Sequence, residues 1–319
     1  MTELYVIRDR IKVFYAKNAR FINPALKFVL AMLVYTIIKN TIGYDERLNG
    51  WPVLAGLSVI SAFLPTSFIV FAAFVMSVMH IFAASNFLCL IYVLILAVLY
   101  FFLIRFAPGY GICVLMTPIL MYLHLDALMP LVIGLIGTPI AGFAIVPGII
   151  IYYLFDVTKS AISMSSGSMK LEDNLQSYVY VIKTISGNKL MILAIIVSIC
   201  VLLVTYFVRK LVIAHSNELA LAAGATAEII ITLVGFLAFN VKGNILWLLL
   251  GTVISVVIAM AIQFMRYVLD YNAVEHLQFD DDDYYYYVTA VPKLTVTKPE
   301  KNVVKISDSD DKENEPYRD

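Results

Sequence analysis

In a strongly apolar chain the few ionisable residues carry any chemistry, and Glu228 is the most deeply placed of them. It lies about halfway along the run LAAGATAEIIITLVGF, where a charged side chain costs at least about 2.5–3.5 kcal/mol on insertion scales. An acid there must face the protein interior, carry its proton or lie nearer an interface. Its functional reading is coupling to a proton or cation. The structural alternative is an interhelical hydrogen bond that locks packing. Ala220, Gly224, Ala227 and Glu228 share one helical face, so another helix can approach closely there. His124 and Asp126 stand at the start of an interrupted apolar tract. At i and i+2 they do not face each other on a helix, and a metal site would need ligands that are not near in sequence. They are either helix-boundary residues or the lining of a cavity.

The tract itself runs from Thr117 to Phe155 and contains Pro118, Pro130, Pro139 and Pro147, with Gly134, Gly137, Gly142 and Gly148 between them. Each proline removes a backbone donor and ends or kinks a helix. In hydrocarbon such broken backbone survives only where protein or a water-filled cavity surrounds it. Paired discontinuous helices are a common way to build a transporter site, so Pro130, Gly137 and Pro139 join Glu228, His124 and Asp126 as substrate or coupling candidates. Two arms, Ala127 to Gly137 and Ile140 to Phe155, meet at Thr138-Pro139. They form either a re-entrant hairpin or one kinked crossing.

These residues must be held by a membrane bundle. Of 319 residues, 61% are hydrophobic and 14% charged, with a mean hydropathy of +0.86, whereas soluble domains carry roughly 25% charged residues. The fold class expected is all-α, a polytopic bundle of about eight crossings with a Pro/Gly-broken central pair. Net charge is +0, which points to no nucleic-acid partner. Cys89, Cys113 and Cys200 sit in apolar runs and read as buried small hydrophobes. No nucleotide-binding loop, HExxH or serine nucleophile elbow appears, and no polar segment is long enough to build a catalytic domain. The expectation is a non-enzyme with no metal or cofactor.

In chain order, residues 1–24 form a basic segment that is either an amphipathic surface helix or a plain lead-in helix. Without a signal-peptide pattern, targeting falls to the first membrane helix. Pro24 opens that first span, Ala25 to Ile42, followed by Trp51 as an interface anchor. Then come Pro52 to Leu64, Pro65 to Ala84, Phe87 to Ile104 and Ile112 to Leu125, and the broken tract completes a first membrane region, 25–155. A polar connector, 156–189, carries an interfacial helix whose face is Leu171, Leu175, Tyr178, Ile182 and Ile185. Three spans fill 190–268. The distribution of Lys and Arg places both termini in the cytoplasm, but this leaves the connector, with Lys159, Lys170, Lys183 and Lys189, outside.

The tail, 269–319, is acidic and tyrosine-rich. Phe279, the acidic block Asp280, Asp281, Asp282 and Asp283, and Tyr284, Tyr285, Tyr286 and Tyr287 begin a β-prone run to Val296. A lone strand is marginal, so the run should add to a sheet edge on another protein, on another copy or on the chain's own cytoplasmic face. The segment from Lys305 reads as disordered. The expected partners are the lipid bilayer and a cytoplasmic protein, an ATPase or a scaffold protein, and a homo-oligomer is compatible with the sequence. QFDDDDYYYYVTAVPK, with RFAPGYG, LMTPILMYLHL and PGIIIYY, resembles a group of uncharacterised multi-span membrane proteins of clostridial-type bacteria, sometimes labelled transport permeases. The resemblance implies the bacterial cytoplasmic membrane as location. Two functions follow as expectations: a permease component moving a small solute, or a membrane scaffold that recruits cytoplasmic or envelope-assembly partners through its tail.

Overall fold

Lipid offers a backbone amide no partner, so a chain of this composition closes its hydrogen bonds within helices. A computed structural model describes residues 2–165, 171–213, 215–266, 275–280 and 285–290. Its helices are α1 (Thr2–Ile42), α2 (Trp51–Phe63), α3 (Thr66–Ala84), α4 (Asn86–Phe102), α5 (Gly111–Tyr122), α6 (Leu128–Ile136), α7 (Gly142–Ser165), α8 (Leu171–Ser186), α9 (Lys189–Arg209), α10 (Ser216–Ala238) and α11 (Ile245–Arg266). Among the described residues, seven helices are long and apolar enough to cross a membrane, in α1, α3, α4, α7, α9, α10 and α11. The chain is an all-α multi-pass bundle in which α2, α5 and α6 are shorter apolar pieces.

Residues 13–267 form one compact unit with two apolar cores. The first gathers Tyr35, Leu54, Ile69, Ile81 and Tyr92 from α1–α4 with Leu154 and Phe155 of α7. Short polar contacts tie it across helices: the Tyr35 and Ser61 hydroxyls lie 2.8 Å apart, the Tyr92 hydroxyl donates to Ser77 at 3.1 Å, and His80 Nδ1 accepts from the Asp45 N–H at 3.1 Å. The second core joins α5–α7 to α9–α11 through Leu131, Ile145, Ile149, Val201, Leu202 and Ala220.

The broken tract divides at Thr138-Pro139 as expected, with α6 and α7 as its two arms, but α6 also folds back on α5. Tyr110, just before α5, shares a 3.1 Å hydrogen bond with Thr138 Oγ1 and accepts from the Thr138 N–H at 3.2 Å. Both ends of the segment from Gly111 to Ile136 are therefore tied together, and α5 and α6 form a helical hairpin whose tip is His124–Asp126. Thr138-Pro139 is the base of this hairpin, from which a short 3-10 turn, Pro139–Ala141, leads into α7. Helix α6 has nine residues, which rise about 14 Å, half of a hydrocarbon core of about 30 Å.

Three other expectations are corrected. Pro24 does not open the first span, because α1 continues through it. The carbonyl it frees, on Arg20, lies among exposed residues, Arg20, Phe21 and Asn23, where it can be solvated. The polar connector does not begin at Asp156, since α7 runs on to Ser165, with Val157 and Ala161 buried in the first core. On α8 Val181, 1% exposed, packs in the first core together with Ile185 of the expected face, while Ile182 of that face is 55% exposed. Leu171, Leu175 and Tyr178 have side chains outside those described.

Residues 1–12 and 268–319 form a separate unit. In it β1 (Glu275–Asp280) pairs antiparallel with β2 (Tyr285–Ala290), in a register running from Glu275↔Ala290 to Asp280↔Tyr285. Strand thus begins at Glu275 rather than Phe279, and the edge that receives the tyrosine run is the chain's own preceding segment. Phe279, Asp280, Tyr285, Tyr286 and Tyr287 lie in these strands; Asp281, Asp282, Asp283 and Tyr284 lie outside the described residues, as does the segment from Lys305.

Small residues set how closely the second core packs. A Cβ on Gly134 of α6 would lie 2.6 Å from Thr205 Cβ of α9, and one on Gly224 of α10 would run into the same Thr205 and Leu131. Gly56 of α2, by contrast, faces open space. Gly224→Val is expected to destabilise the protein by about 1–3 kcal/mol through overpacking, lowering its thermal midpoint in detergent. Gly56→Ala should leave the midpoint unchanged or slightly raised. Equal midpoints for the two variants would refute the close approach at Thr205.

Candidate functional site

The tip of the α5–α6 hairpin is made by a helix stop. The His124 N–H donates to the Met121 carbonyl at 3.1 Å and the Leu125 N–H to the Leu120 carbonyl at 2.8 Å, the paired bonds of a Schellman cap. The residue that reverses the chain takes the left-handed conformation, here His124 with φ 57°. Glycine usually fills that position; histidine is one of the side chains that tolerate it. The His124 carbonyl packs against Gly251 of α11, where any Cβ would collide with it, and the imidazole stacks on Trp247 with ring centroids 5.1 Å apart. The tip is thereby docked on α11, leaving Asp126 and the His124 ring exposed.

Beneath the tip lies a cavity of about 240 Å³ between α5, α6, α7, α9, α10 and α11. Asp126 and His124 stand at its mouth, Pro130 of α6 forms part of its wall, and Glu228 of α10 reaches it from the middle of the bundle. Glu228 is 4% exposed, and its Oε2 has no hydrogen-bond partner. One turn further along α10, Thr232 also lines the cavity with a buried, unpartnered hydroxyl. Thr117, Tyr153 and Ser198 add hydroxyls, and Asn244 an amide; the Thr117 hydroxyl is spent on the Cys113 carbonyl at 2.7 Å. Leu193, Val197, Ile145, Ile149 and Phe236 supply apolar wall. Among the described residues neither lysine nor arginine lines the cavity. Lys189, beside it, donates to the Phe239 carbonyl at 3.2 Å, closing the C-terminus of α10.

The predicted site residues divide accordingly. Glu228, His124, Asp126 and Pro130 come together around one cavity, and the face Ala220–Gly224–Glu228 is buried as expected. Gly137 and Pro139 belong to the opposite end of the hairpin. There Arg209 of α9 donates to the Leu135 carbonyl and, at 3.3 Å, to the Gly137 carbonyl, while Arg266 of α11 donates to Leu135 at 3.4 Å. Two guanidinium groups thus satisfy the last carbonyls of a short helix and complement its negative end. Phe106 meets Phe143 at this same end, with centroids 5.8 Å apart, so Arg105 belongs to the basic side too.

Sequence reading missed Tyr153, Ser198, Thr232, Asn244 and Trp247. Thr232 carried a usable signal, since i+4 from Glu228 is the same helical face. Ser198 is the one polar residue between Leu190 and Cys200. Tyr153 and Trp247 gave none, because aromatics in apolar spans are ordinarily packing or anchoring residues. Among the described residues no group of three or more His, Cys, Asp or Glu gathers to hold a metal ion. No protein-family model matches the chain, and no curated protein or solved structure shows significant similarity to it.

Proposed function

We propose that this chain is a permease component that moves a small solute through the α5–α11 bundle, with the cavity as its site and Glu228 as the coupling or gating acid. The observation that carries the reading is a cavity reaching a buried acid, halfway along a span, with an unpartnered carboxylate oxygen. Burying such a group without a partner is costly, and a cost kept at the floor of a cavity suits a group that meets a ligand or a proton. The Lys and Arg rule supports an orientation: Arg105, Arg209, Lys210 and Arg266 cluster at the hairpin's base, favouring that end as the cytoplasmic one. The cavity mouth, the end of α7 with Lys159 and the helix α8 with Lys183 then face outward. Towards the cytoplasm the packing of Gly134, Thr205 and Gly224 closes the route, and release of the base from Arg209 and Arg266 is the movement that would open it. The resemblance to clostridial-type proteins supports the bacterial cytoplasmic membrane as its location.

Glu228→Gln preserves shape while removing the charge, and it is expected to abolish coupled flux in reconstituted vesicles with little change in thermal stability. Unchanged flux would eliminate the coupling role. Orientation is checked separately, in a chain whose Cys89, Cys113 and Cys200 are replaced by alanine. A membrane-impermeant thiol reagent added outside cells should modify Ser198→Cys through the cavity and leave Thr205→Cys untouched. Modification of Ser198→Cys from the cytoplasmic side alone would reverse the orientation.

A second reading, the scaffold, draws on the β1–β2 hairpin. Its order is two-stranded, and a two-stranded sheet is marginal alone and offers outer edges for strand addition. Removing residues 268–319 should cost a scaffold its co-purifying partner, whereas a self-contained carrier should keep its flux.

A further inference from the structure

Resting on the reading of the cavity as a solute site, we infer that it binds a small primary amine in its protonated form, the ammonium on Glu228 and the hydrocarbon part against the apolar wall. Charge is the first argument. Among the described residues the lining holds two carboxylates, Asp126 at the mouth and Glu228 at depth, with His124 beside Asp126 and no lysine or arginine. An anion would be repelled by both in their ionised form with no lysine or arginine to offset it, and only a cation supplies a counter-charge to an ionised Glu228. The second argument is the unsatisfied polar groups. Glu228 Oε2 and Thr232 Oγ1 are both buried without partners, one helical turn apart, and both lie on the cavity. An ammonium brings three N–H donors on one atom, which suits two adjacent acceptors with the Ser198 hydroxyl on the same cavity as a third.

The remaining lining separates an amine from an inorganic cation. Calcium and magnesium take six or more oxygen ligands, largely carboxylates, carbonyls and waters, but no metal-holding group of acids and histidines is gathered among the described residues. Leu193, Val197, Ile145 and Ile149 instead present hydrocarbon, which is useful only to a ligand with a carbon skeleton. The volume, about 240 Å³, lies just below the range of roughly 300–1,000 Å³ typical of pockets for drug-sized molecules, so the ligand is small. At the mouth Asp126 offers a first carboxylate of the same preference.

The test uses the purified full chain in detergent and three series of matched shape at one ionic strength. The amines are methylamine, isobutylamine and benzylamine; isobutanol and benzyl alcohol are the neutral series; isobutyrate and benzoate are the anions. A ligand that binds only the folded state raises the thermal midpoint in a saturable way. At least one amine should do so, while the alcohols and carboxylates should not. Glu228→Gln should weaken the amine roughly a hundredfold, as expected on removing one partner of a buried ion pair. Asp126→Asn should weaken it less. The inference is overturned if no amine acts, if an alcohol or carboxylate of the same shape acts equally, or if Glu228→Gln keeps the amine's full effect. Counterflow of the radiolabelled amine in vesicles then separates the two claims. Binding without flux upholds the amine site and removes the permease; flux of another solute that the amines never inhibit upholds the permease and removes the amine site.

Discussion

The structure depends on one constraint: the last carbonyls of a short helix have no partner within it and must be received by donors from elsewhere. Helix α6 stops after nine residues, and its last carbonyls are received by Arg209 and Arg266, each reaching in from the C-terminal end of a neighbouring helix. A guanidinium is suited to this because its planar set of donors can serve more than one carbonyl. At the opposite end the chain reversal is satisfied locally, by the cap centred on His124. With both ends provided for, a segment too short to cross can persist among helices that do.

That shortness also makes the cavity. Helices α9, α10 and α11 have 21, 23 and 22 residues, rising about 32–35 Å, and α6 has less than half of that length. Space between long helices that a short one cannot fill is either packed by side chains or left open. The lower part is packed, because Gly134 and Gly224 let α6 and α10 close on Thr205. The upper part stays open beneath the hairpin tip, and the side chains facing it, Glu228 and Thr232, end there without partners. Close approach below and a void above come from the same hairpin.

The sequence carried much of this, unevenly. Hydropathy was enough for the all-α bundle and for most helix limits, since an apolar run of bilayer length has few alternatives. The small face around Glu228 was legible because its spacing is local. The proline-rich tract was recognised as broken, but not which break would become the tip. Pro139 does mark the turn between α6 and α7; the further reversal at His124–Asp126 is made by a left-handed histidine that local propensity does not favour over glycine. Arg209 and Arg266 were legible as charges near span ends, but not as caps for α6, because their partners are 74 and 131 residues away. In the tail, β propensity was visible in the tyrosine run, whereas its pairing with Glu275–Asp280 was hidden behind residues that read equally well as a helix end.

The long reach of those two arginines bears on how the protein is made. The α5–α6 hairpin leaves the ribosome well before Arg209, and much earlier than Arg266, which lies at the end of the final span. Until both helices are synthesised and inserted, the Leu135 and Gly137 carbonyls lack these two donors. The hairpin has all its partners only once the last span, which also supplies Trp247 and Leu248 to the cavity wall, has joined the bundle.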